Sequence, residues 1–365
     1  MRSGCVAEPR HNERMRIALA QIDPVVGDLA GNRAMIKPSE LAPRTADLLQ
    51  QIIAAAFPEE YVAVVTGDAQ IAAAFASLSF DHLLFTGSTR VGKSIMRAAS
   101  ENLTPVTLEL GGKSPTIIHP EFPLRTAVER ILTGKLYNAG QTCLAPDYVF
   151  IHETQRDSFV ELGKTVALEL YPTWANNPDY TRIINRSHYD RLNDYLLDAA
   201  AHGAKAIPLG ARADSCNAEN RIFPPVILLD VDDRMRVMQE EIFGPILPLK
   251  TYRHLDDAFS YIAQHPRPLA LYYFDYHAGR IDEILHATIS GGVTINDVIY
   301  HVAQNNLPFG GVGSSGMGCY HGQAGFETFS QKKGVFLQSR FSSLSFLRPP
   351  YGSWSERVIR FLLRK

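Results

Sequence analysis

Short apolar runs alternate with helical patterns between residues 15 and 110, and this alternation limits the possible folds more than any other feature. The runs are rich in β-branched or large aliphatic residues, and most of them end at glycine or proline, as buried strands do. Strands separated by helices at this spacing form βαβ units and a parallel sheet, which binds ligands at the carboxyl ends of its strands. The predicted strands are MRIAL (15–19), RAMIKP (33–38), YVAVVTG (61–67), HLLFTGS (82–88) and PVTLELGG (105–112), and the predicted helices span 44–57, 69–78 and 89–100.

The mixed α/β pattern continues to about residue 300. In the helix predicted at 44–57, Leu48, Leu49, Ile52 and Ile53 are expected to form one apolar face. The segment 304–318 is rich in glycine and serine and is predicted to be a loop. The tail ends in SERVIRFLLRK, a short basic amphipathic helix of a kind that binds lipid only weakly, so membrane contact is not favoured. Further helices are predicted near 124–137, 155–170, 187–202 and 279–288.

Composition excludes several classes of protein. Of the 365 residues 45% are hydrophobic and 20% are charged, which is typical of a globular chain. The net charge of −2 excludes a strongly basic nucleic-acid-binding protein. The histidines show no HExxH-like spacing, so no metal site is predicted. No apolar run approaches the roughly 18 residues of a membrane span, and residues 1–14 are read as a loose polar tail rather than a signal peptide.

The four cysteines, Cys5, Cys143, Cys216 and Cys319, are scattered and form no CxxC pair, which favours a reduced, cytoplasmic compartment. Cys143 differs from the others because it follows a helix pattern and lies in the polar stretch YNAGQTCLAP. A thiolate there is a nucleophile suited to a carbonyl carbon. The alternative is a buried cysteine that acts only as a small hydrophobic residue.

Two further segments carry candidate functional groups. Glu109 closes a strand and is followed by Gly111 and Gly112, so its carboxylate suits a general base beside a ligand. The segment FTGSTRVGKSIM (85–96) reads as strand, turn and helix, and the helix N-terminus could hold a phosphate. Taken singly, these segments are better explained by an exposed strand-end glutamate and by a plain βα turn.

Taken together, six motifs resemble the aldehyde dehydrogenase superfamily in order and spacing, and NAGQTCLAPDYV, INDV (295–298) and RPPYG look most like its coniferyl-aldehyde and fatty-aldehyde branch. The resemblance implies an α/β fold with an incomplete Rossmann-like parallel-sheet cofactor domain and an α/β catalytic domain. The implied division is a tail at 1–14, a partial dinucleotide-binding domain at 15–111, a catalytic domain at 112–312 and an oligomerisation segment with a tail helix at 313–365. The motifs are KPSE (37–40), FTGST (85–89), LELGGKSP (108–115), NAGQTCLAP (138–146), EEIFGP (240–245) and PFGGVGSSGMG (308–318).

The resemblance also implies roles for individual residues. Cys143 is similar to the nucleophile that forms a thiohemiacetal and then a thioester, and Glu109 resembles the base that activates the thiol or the hydrolytic water. Lys37 and Glu40 look like the pair that holds the adenosine ribose, and the Glu40 carboxylate favours NAD over NADP, with NADP as the alternative. The remaining implied cofactor-binding residues are Gly87 and Ser88 at the pyrophosphate, Leu110 next to the base, and Glu241 and Phe243 at the nicotinamide and its ribose.

The motif resemblance begins only near Gly31. MRIALAQIDPVVGDLAGN (15–32) resembles instead the opening of a nitrilase-type amidase domain, as in the glutaminase part of an NAD synthetase. This indicates an N-terminally truncated or rearranged dehydrogenase that lacks the family's upstream segment, including an asparagine that donates to the oxyanion. One hypothesis is that MRIALAQI fills the place of the missing first strand of the sheet.

Three functions are therefore compared. The first is an NAD-dependent oxidation of an apolar or aromatic aldehyde, and it implies a homodimer or larger assembly, because the chain up to about Gln338 resembles the family's oligomerisation region. The second is a catalytically impaired remnant that acts at most as a binding or assembly protein. The third, an amidase fragment, is disfavoured because no amidase site can be found in the rest of the chain.

Overall fold

The computed structural model describes residues 15–20, 32–174, 177–210, 216–338, 340 and 348–363. Contacts divide the chain into two compact units, Met1–Phe329 and Ser330–Lys365. The tail predicted at 1–14 and residues 21–31 of the nitrilase-like opening lie outside the described residues. In the described part of the chain, no helix is both long and apolar enough to cross a membrane.

The strands alternate with helices as the sequence predicts. The strands are β1 (Met15–Ala20), β2 (Asn32–Ile36), β3 (Val62–Val64), β4 (His82–Gly87), β5 (Val106–Leu110), β6 (Pro115–Ile118), β7 (Tyr148–His152), β8 (Lys205–Pro208), β9 (Val226–Leu229), β10 (Ile246–Tyr252), β11 (Ala270–Phe274), β12 (Gly292–Ile295) and β13 (Gly316–Met317). The helices are α1 (Pro43–Ala56), α2 (Ala69–Ala76), α3 (Thr89–Ser100), α4 (Leu124–Leu136), α5 (Arg156–Leu170), α6 (Arg186–Ala201), α7 (Arg236–Gln239), α8 (Leu255–Gln264), α9 (Ala278–Ala287), α10 (Gly322–Thr328) and α11 (Ser353–Leu362).

Several of these helices begin after a capping residue, whose side chain accepts hydrogen bonds from the first backbone N–H groups of the helix. The Asp68 carboxylate accepts hydrogen bonds from the backbone N–H groups of Gln70 and Ile71 at the start of α2. The Ser88 hydroxyl accepts from Val91 at the start of α3, and the Asn185 side chain accepts from His188 at the start of α6. Such caps satisfy N–H groups that have no partner inside the helix, and they fix where it begins.

The first sheet has the strand order β13-β5-β4-β1-β2-β3. Its strands are parallel, except that β13 runs antiparallel to β5. β1 lies between β2 and β4 and pairs with both, so it occupies the place where one hypothesis above puts MRIALAQI. The parallel order brings the carboxyl ends of β2, β4 and β5 to one edge of the sheet, where ligands bind in such folds.

The second sheet has the strand order β12-β11-β6-β7-β10-β9-β8, with only β8 antiparallel to its neighbour. The larger of the two hydrophobic clusters packs around this sheet, and the smaller one, which includes Phe75, Phe80 and Leu83, packs on the first sheet. Both sheets belong to the unit Met1–Phe329. The proposed domain boundaries at residues 111 and 312 stay a prediction.

Two local predictions are corrected. In α1 the buried residue is Ala46, and Leu48 and Ile52 are each 55% exposed, because Ala46, Leu49 and Ile53 form the inward row instead. The segment 304–318 is not loop throughout, because Gly316–Met317 pair with β5. Gly316 permits this pairing, since a Cβ there would overlap the carbonyl oxygen of Leu108.

Candidate active site

Glu109 is buried near the carboxyl end of β5, where the residue is only 1% exposed. The register of β4 and β5 sets Thr86 directly beside it. Burial raises the pKa of the Glu109 carboxyl group to about 7, and hydrogen bonds from Cys143 and Thr86 partly oppose this rise. Its Oε1 atom has no hydrogen-bond partner among the described residues. This carboxyl group therefore changes its charge near neutral pH and keeps one oxygen available to a ligand or a water.

Cys143 lies in a turn between α4 and β7, and a strained backbone holds it there. A 3₁₀ turn over Tyr137–Gly140 follows α4, and Asn138, Ala139 and Gly140 all have left-handed backbone angles, with φ of 51°, 52° and 75°. A Cβ at Gly140 would overlap the carbonyl oxygen of Gly244, so the turn packs directly against another stretch of backbone. Such strain persists only where the surrounding structure imposes it, and it is concentrated at functional sites.

The Cys143 thiol donates a hydrogen bond to the Glu109 carboxyl group. Burial raises the pKa of the thiol well above its ordinary value, and the negative charge of Glu109 and the hydrogen bond to it raise it further. A thiol in this setting is protonated before the reaction, not ionised. It becomes a nucleophile when a neighbouring base takes its proton, and the Glu109 carboxylate is placed to do so.

A third segment, Glu241–Phe243, is fixed beside this pair by hydrogen bonds to its backbone. The Arg191 guanidinium donates to the carbonyl oxygens of Glu241 and Ile242, at 3.2 and 2.8 Å. The Ile242 N–H donates to the Asp147 carboxylate at 3.0 Å, and Lys113 forms an ion pair with the other oxygen of that carboxylate. Lys113 also donates to the carbonyl oxygens of Val237 (2.8 Å) and Glu240 (3.1 Å), which ties the segment to α7.

The Glu241 side chain packs against a glycine pair. A Cβ at Gly111 would overlap the Glu241 carboxylate, and the Gly112 backbone N–H donates to it. Burial raises the pKa of Glu241 to about 8, and the negative charges of Asp147 and Glu109 contribute to the rise. The neighbouring Phe243 has a φ of 48°, which is uncommon for an aromatic residue. Glycine at position 111 is therefore what permits the carboxylate to lie at the edge of the first sheet.

Lys37 and Glu40 form an ion pair in the turn that follows β2. The Lys37 Nζ atom donates to the Glu40 carboxylate at 3.1 Å and to the Pro38 carbonyl oxygen at 2.9 Å. The lysine is buried, whereas the Glu40 side chain is 44% exposed. A hydrogen bond from its own backbone N–H lowers the pKa of Glu40, and Lys37 adds to this effect. An exposed carboxylate is thus available for a ligand.

Gly87 and Ser88 lie at the junction of β4 and α3, as predicted. The adjacent cavity of about 300 Å³ is lined by Thr89, Gly111, Gly112, Lys113, Glu241 and Ser314, among others. It borders both Thr89, the first residue of α3, and Glu241, which is the one predicted site residue among those that line it. Leu110, by contrast, is 4% exposed and packs against Gly92, and its backbone N–H donates to the Ser315 carbonyl oxygen at 2.9 Å.

Sequence reasoning did not single out four residues of this region, Lys113, Lys135, Asp147 and Arg191. Lys113 and Asp147 lie within the quoted motifs LELGGKSP and CLAPDYV. They were not predicted as site residues because a charged residue next to glycine or proline is usually exposed to solvent. Lys135 and Arg191 lie within predicted helices, where spacing does not distinguish a buried cation from a surface one. Among the described residues, no cluster of three or more His, Cys, Asp or Glu side chains is arranged to hold a metal ion.

The chain matches the model of the "Aldehyde dehydrogenase family" over residues 16–335. The match begins upstream of Gly31, where the motif resemblance starts, and so includes most of β1. The likeness of residues 15–32 to a nitrilase-type opening stays a prediction.

Curated relatives agree with the family model. The "Probable coniferyl aldehyde dehydrogenase" of Pseudomonas aeruginosa is 52% identical over 339 residues, which cover 93% of this chain and 70% of the relative. The "Coniferyl aldehyde dehydrogenase" of a Pseudomonas species is 48% identical over 336 residues, with 92% and 70% covered. This chain therefore spans about 70% of the length of these relatives.

Solved structures share the fold. The structure described as the substrate-bound state of Staphylococcus aureus AldH has a TM-score of 0.83 and 41% identity, and the likeness covers 91% of this chain and 71% of that one. The "NAD-dependent aldehyde dehydrogenase from Sinorhizobium meliloti" has a TM-score of 0.78 and 27% identity, with 87% and 63% covered. The predicted α/β fold with parallel-sheet domains is thus confirmed. The chain belongs to the aldehyde dehydrogenase family, whose members are oxidoreductases that oxidise aldehydes.

Proposed function

We propose that this protein oxidises an apolar or aromatic aldehyde of the coniferyl type to the carboxylic acid, with NAD as the cofactor and Cys143 as the nucleophile. The observation that carries the proposal is the pair of buried Glu109 and partly buried Cys143 at the edge of a parallel sheet. The curated relatives named for coniferyl aldehyde supply the substrate class.

The residues present fit a dinucleotide. The cavity beside α3 reaches from the helix N-terminus, whose free N–H groups suit a pyrophosphate, to the Glu241 carboxylate, which suits the hydroxyls of a ribose. Gly111 permits the Glu241 carboxylate to lie there, because a Cβ at position 111 would overlap it. Lys37 and Glu40 would hold the adenosine ribose, Gly87 and Ser88 the pyrophosphate, and Glu241 and Phe243 the nicotinamide ribose and ring. Leu110 would then contribute only through its backbone, because its side chain is buried against α3.

The choice between NAD and NADP depends on Glu40. Its carboxylate is exposed and its pKa is lowered, so it is negatively charged at neutral pH. A negative charge accepts hydrogen bonds from a free 2′-hydroxyl and repels a 2′-phosphate. NAD is therefore preferred, and NADP remains the alternative.

The proposed chemistry uses the side chains of this chain in two stages. The Glu109 carboxylate takes the thiol proton and passes it to the aldehyde oxygen as the Cys143 sulfur bonds to the aldehyde carbon, which gives a neutral thiohemiacetal. The bound dinucleotide would supply the acceptor for the hydride on that carbon. Loss of this hydride and of the hydroxyl proton leaves a thioester on Cys143, with Glu109 again a carboxylate. Glu109 then removes a proton from water, whose oxygen attacks the thioester, and the acid leaves as the Cys143 sulfur regains a proton. Aldehyde, water and NAD⁺ give acid, NADH and one proton.

The first test is NADH formation by the purified protein with a cinnamyl-type aldehyde. Cys143→Ala should abolish it, because the thioester is proposed to form on the Cys143 sulfur. Cys319→Ala is the matched control, since Cys319 is also partly buried and free, and it should leave turnover unchanged. Turnover that survives in the Cys143→Ala variant would exclude the thioester route. A wild-type protein that binds NAD⁺ but makes no NADH would favour the impaired remnant instead.

A further inference from the structure

Tyr272 connects the turn that carries Cys143 to the second sheet. It lies on β11, which pairs with β12 on one side and β6 on the other, and its side chain is fully buried. Its hydroxyl group donates a hydrogen bond of 2.6 Å to the carbonyl oxygen of Leu144, the residue that follows Cys143. One rigid side chain therefore joins the backbone next to the candidate nucleophile to the interior of the sheet.

The Leu144 carbonyl group belongs to a tight turn, so this hydrogen bond bears on the position of Cys143. The backbone N–H of Ala145 donates to the carbonyl oxygen of Thr142 at 3.1 Å, which makes Cys143 and Leu144 the two central residues of a β-turn. A fixed carbonyl group at Leu144 restricts the backbone angles of this turn. Those angles set the direction in which the Cys143 thiol points, and it points toward Glu109, to which it is hydrogen-bonded.

The same hydroxyl group is held from its other side. It accepts a hydrogen bond from the backbone N–H of Ile299, which has a left-handed backbone with a φ of 53°, a strained conformation for a β-branched residue. Ile299 directly follows the INDV motif (295–298), and a Cβ at Gly134 in α4 would overlap the Val298 side chain of that motif. A phenol has one proton to donate, and with this N–H on its oxygen it donates that proton to Leu144.

We propose that Tyr272 is a positioning residue, which acts through the Leu144 carbonyl group to hold the Cys143 thiol toward its base. This rests on the proposed function, because it takes Cys143 as the nucleophile and Glu109 as the base. Burial raises the pKa of the Tyr272 hydroxyl, and a negative charge on Cys143 adds to this rise. The phenol therefore stays protonated while the sulfur is ionised, and the hydrogen bond to Leu144 persists through the proton transfer.

The test removes a single oxygen atom from the side chain. Tyr272→Phe keeps the ring but leaves the Leu144 carbonyl oxygen without its donor, so the thiol should be aligned with Glu109 less of the time. Alkylation of Cys143 by iodoacetamide, followed by mass spectrometry of the labelled peptide, should slow about tenfold, because it requires the thiolate that this alignment generates. The turnover number should fall to a similar extent, whereas KM for NAD⁺ should change by less than about twofold.

Tyr252→Phe is the matched control. Tyr252 lies on β10 of the same sheet and is 4% exposed, and its hydroxyl group also donates to a backbone carbonyl oxygen, that of Ile118, at 2.7 Å. Its loss should lower the melting temperature about as much as Tyr272→Phe does, yet leave the alkylation of Cys143 unchanged. Equal slowing of alkylation by both variants would show a general loss of packing and would overturn the proposal.

A Glu109→Gln background separates alignment from structural damage. Relative to Glu109→Gln alone, the added Tyr272→Phe change should slow alkylation by less than about twofold, because the base is already absent. A full tenfold effect in that background would contradict the proposal.

A measurement on the wild type covers the case in which Tyr272→Phe does not fold. The Ile299 amide, whose acceptor is the Tyr272 hydroxyl, should exchange its hydrogen slowly, and rapid exchange there would overturn the proposal. Alkylation also distinguishes the two levels of inference. Wild-type protein that makes no NADH refutes the proposed function, whereas an unchanged rate of Cys143 alkylation in Tyr272→Phe refutes only this inference.

Discussion

The Glu109 carboxyl group and the Cys143 thiol restrict each other's ionisation. Glu109 is buried and Cys143 is partly buried, and each is more stable neutral when the other is charged. A proton can therefore pass from sulfur to carboxylate without a change in the net charge of the site. A pKa of about 7 for Glu109 makes it a base of moderate strength at the pH where the protein is expected to operate.

Glu109→Gln should lower turnover and raise stability together. Loss of a general base costs typically 10²–10⁴-fold, and the rise of the wild-type rate as pH increases through about 7 should disappear. The folded pKa is raised above the unfolded value of 4.5, so the wild type loses stability as pH rises from about 4.5 through 7. The variant lacks this loss, and it should be more stable than the wild type by about 2–3 kcal/mol at pH 8 and by little at pH 4.

Denaturant unfolding at the two pH values, combined with steady-state rates, measures both effects. A variant that is inactive and also less stable than the wild type at pH 8 would indicate a structural defect and not the loss of a base. Glu219→Gln, in a surface turn, is a control for removal of a carboxylate and should change neither quantity.

Some of these site residues could be predicted from the sequence, and others could not. Cys143 and Glu109 were predicted because each has a local sequence pattern. The cysteine lies in a polar stretch, and the strand-end glutamate is followed by glycines. Lys135 was missed because it stands in an ordinary helix pattern, and its burial follows from the packing of α4 in the larger hydrophobic cluster. Long-range packing of that kind has no local signature.

At the scale of elements, the turn between α4 and β7 sets the position of the nucleophile. Three successive left-handed residues reverse the chain, and Gly140 brings it against the Gly244 carbonyl oxygen. This contact joins the turn that carries Cys143 to the segment that carries Glu241. The existence and approximate limits of most helices were predictable from apolar spacing, whereas α7, α8 and α10 were not predicted. The inward face of α1 and the strand β13 were not, because tertiary pairing decides them.

Gly140→Ala should destabilise the protein more than a matched glycine substitution elsewhere. Gly203 also has a positive φ, of 98°, but a Cβ there would meet nothing within 4 Å. Gly203→Ala therefore tests backbone strain alone and should cost about 1 kcal/mol. Gly140→Ala adds a backbone overlap and should cost about 3 kcal/mol with a marked fall in turnover. Thermal melting and NADH formation measure the two effects, and equal losses from both variants would contradict the role assigned to the close contact.

At the scale of the whole molecule, the segment after residue 329 exposes apolar side chains. Val335, Phe336 and Leu337 are 71%, 81% and 87% exposed. On the family resemblance, which assigns the region up to Gln338 to oligomerisation, we propose that they pack against a second copy of the chain. Exposed apolar groups in sequence are costly in water and typical of an interface.

Phe336→Asp should weaken self-association at least about tenfold, because a charge placed in an apolar contact opposes its burial. Leu103→Asp is the control, since Leu103 is 89% exposed in the loop after α3 and should leave association unchanged. Sedimentation velocity over a range of concentrations distinguishes these results. A wild-type protein that sediments as a monomer at every concentration would contradict the proposed assembly.

The central position of β1 ties together two parts of the molecule that chain connectivity leaves apart. β2 leads into the Lys37–Glu40 turn, and β4 leads into Ser88, yet the two strands never touch and are joined in the sheet only through β1. Adjacent strands are about 4.8 Å apart, so the adenosine ribose and the pyrophosphate of a bound dinucleotide would lie on either side of a gap of roughly 10 Å whose width this one strand maintains. The ligand and β1 would then both hold the ends of β2 and β4 at a fixed separation. By thermodynamic linkage, a change that destabilises β1 should lower the affinity for the nucleotide. A bound nucleotide should in turn slow hydrogen exchange at the backbone amides of β1.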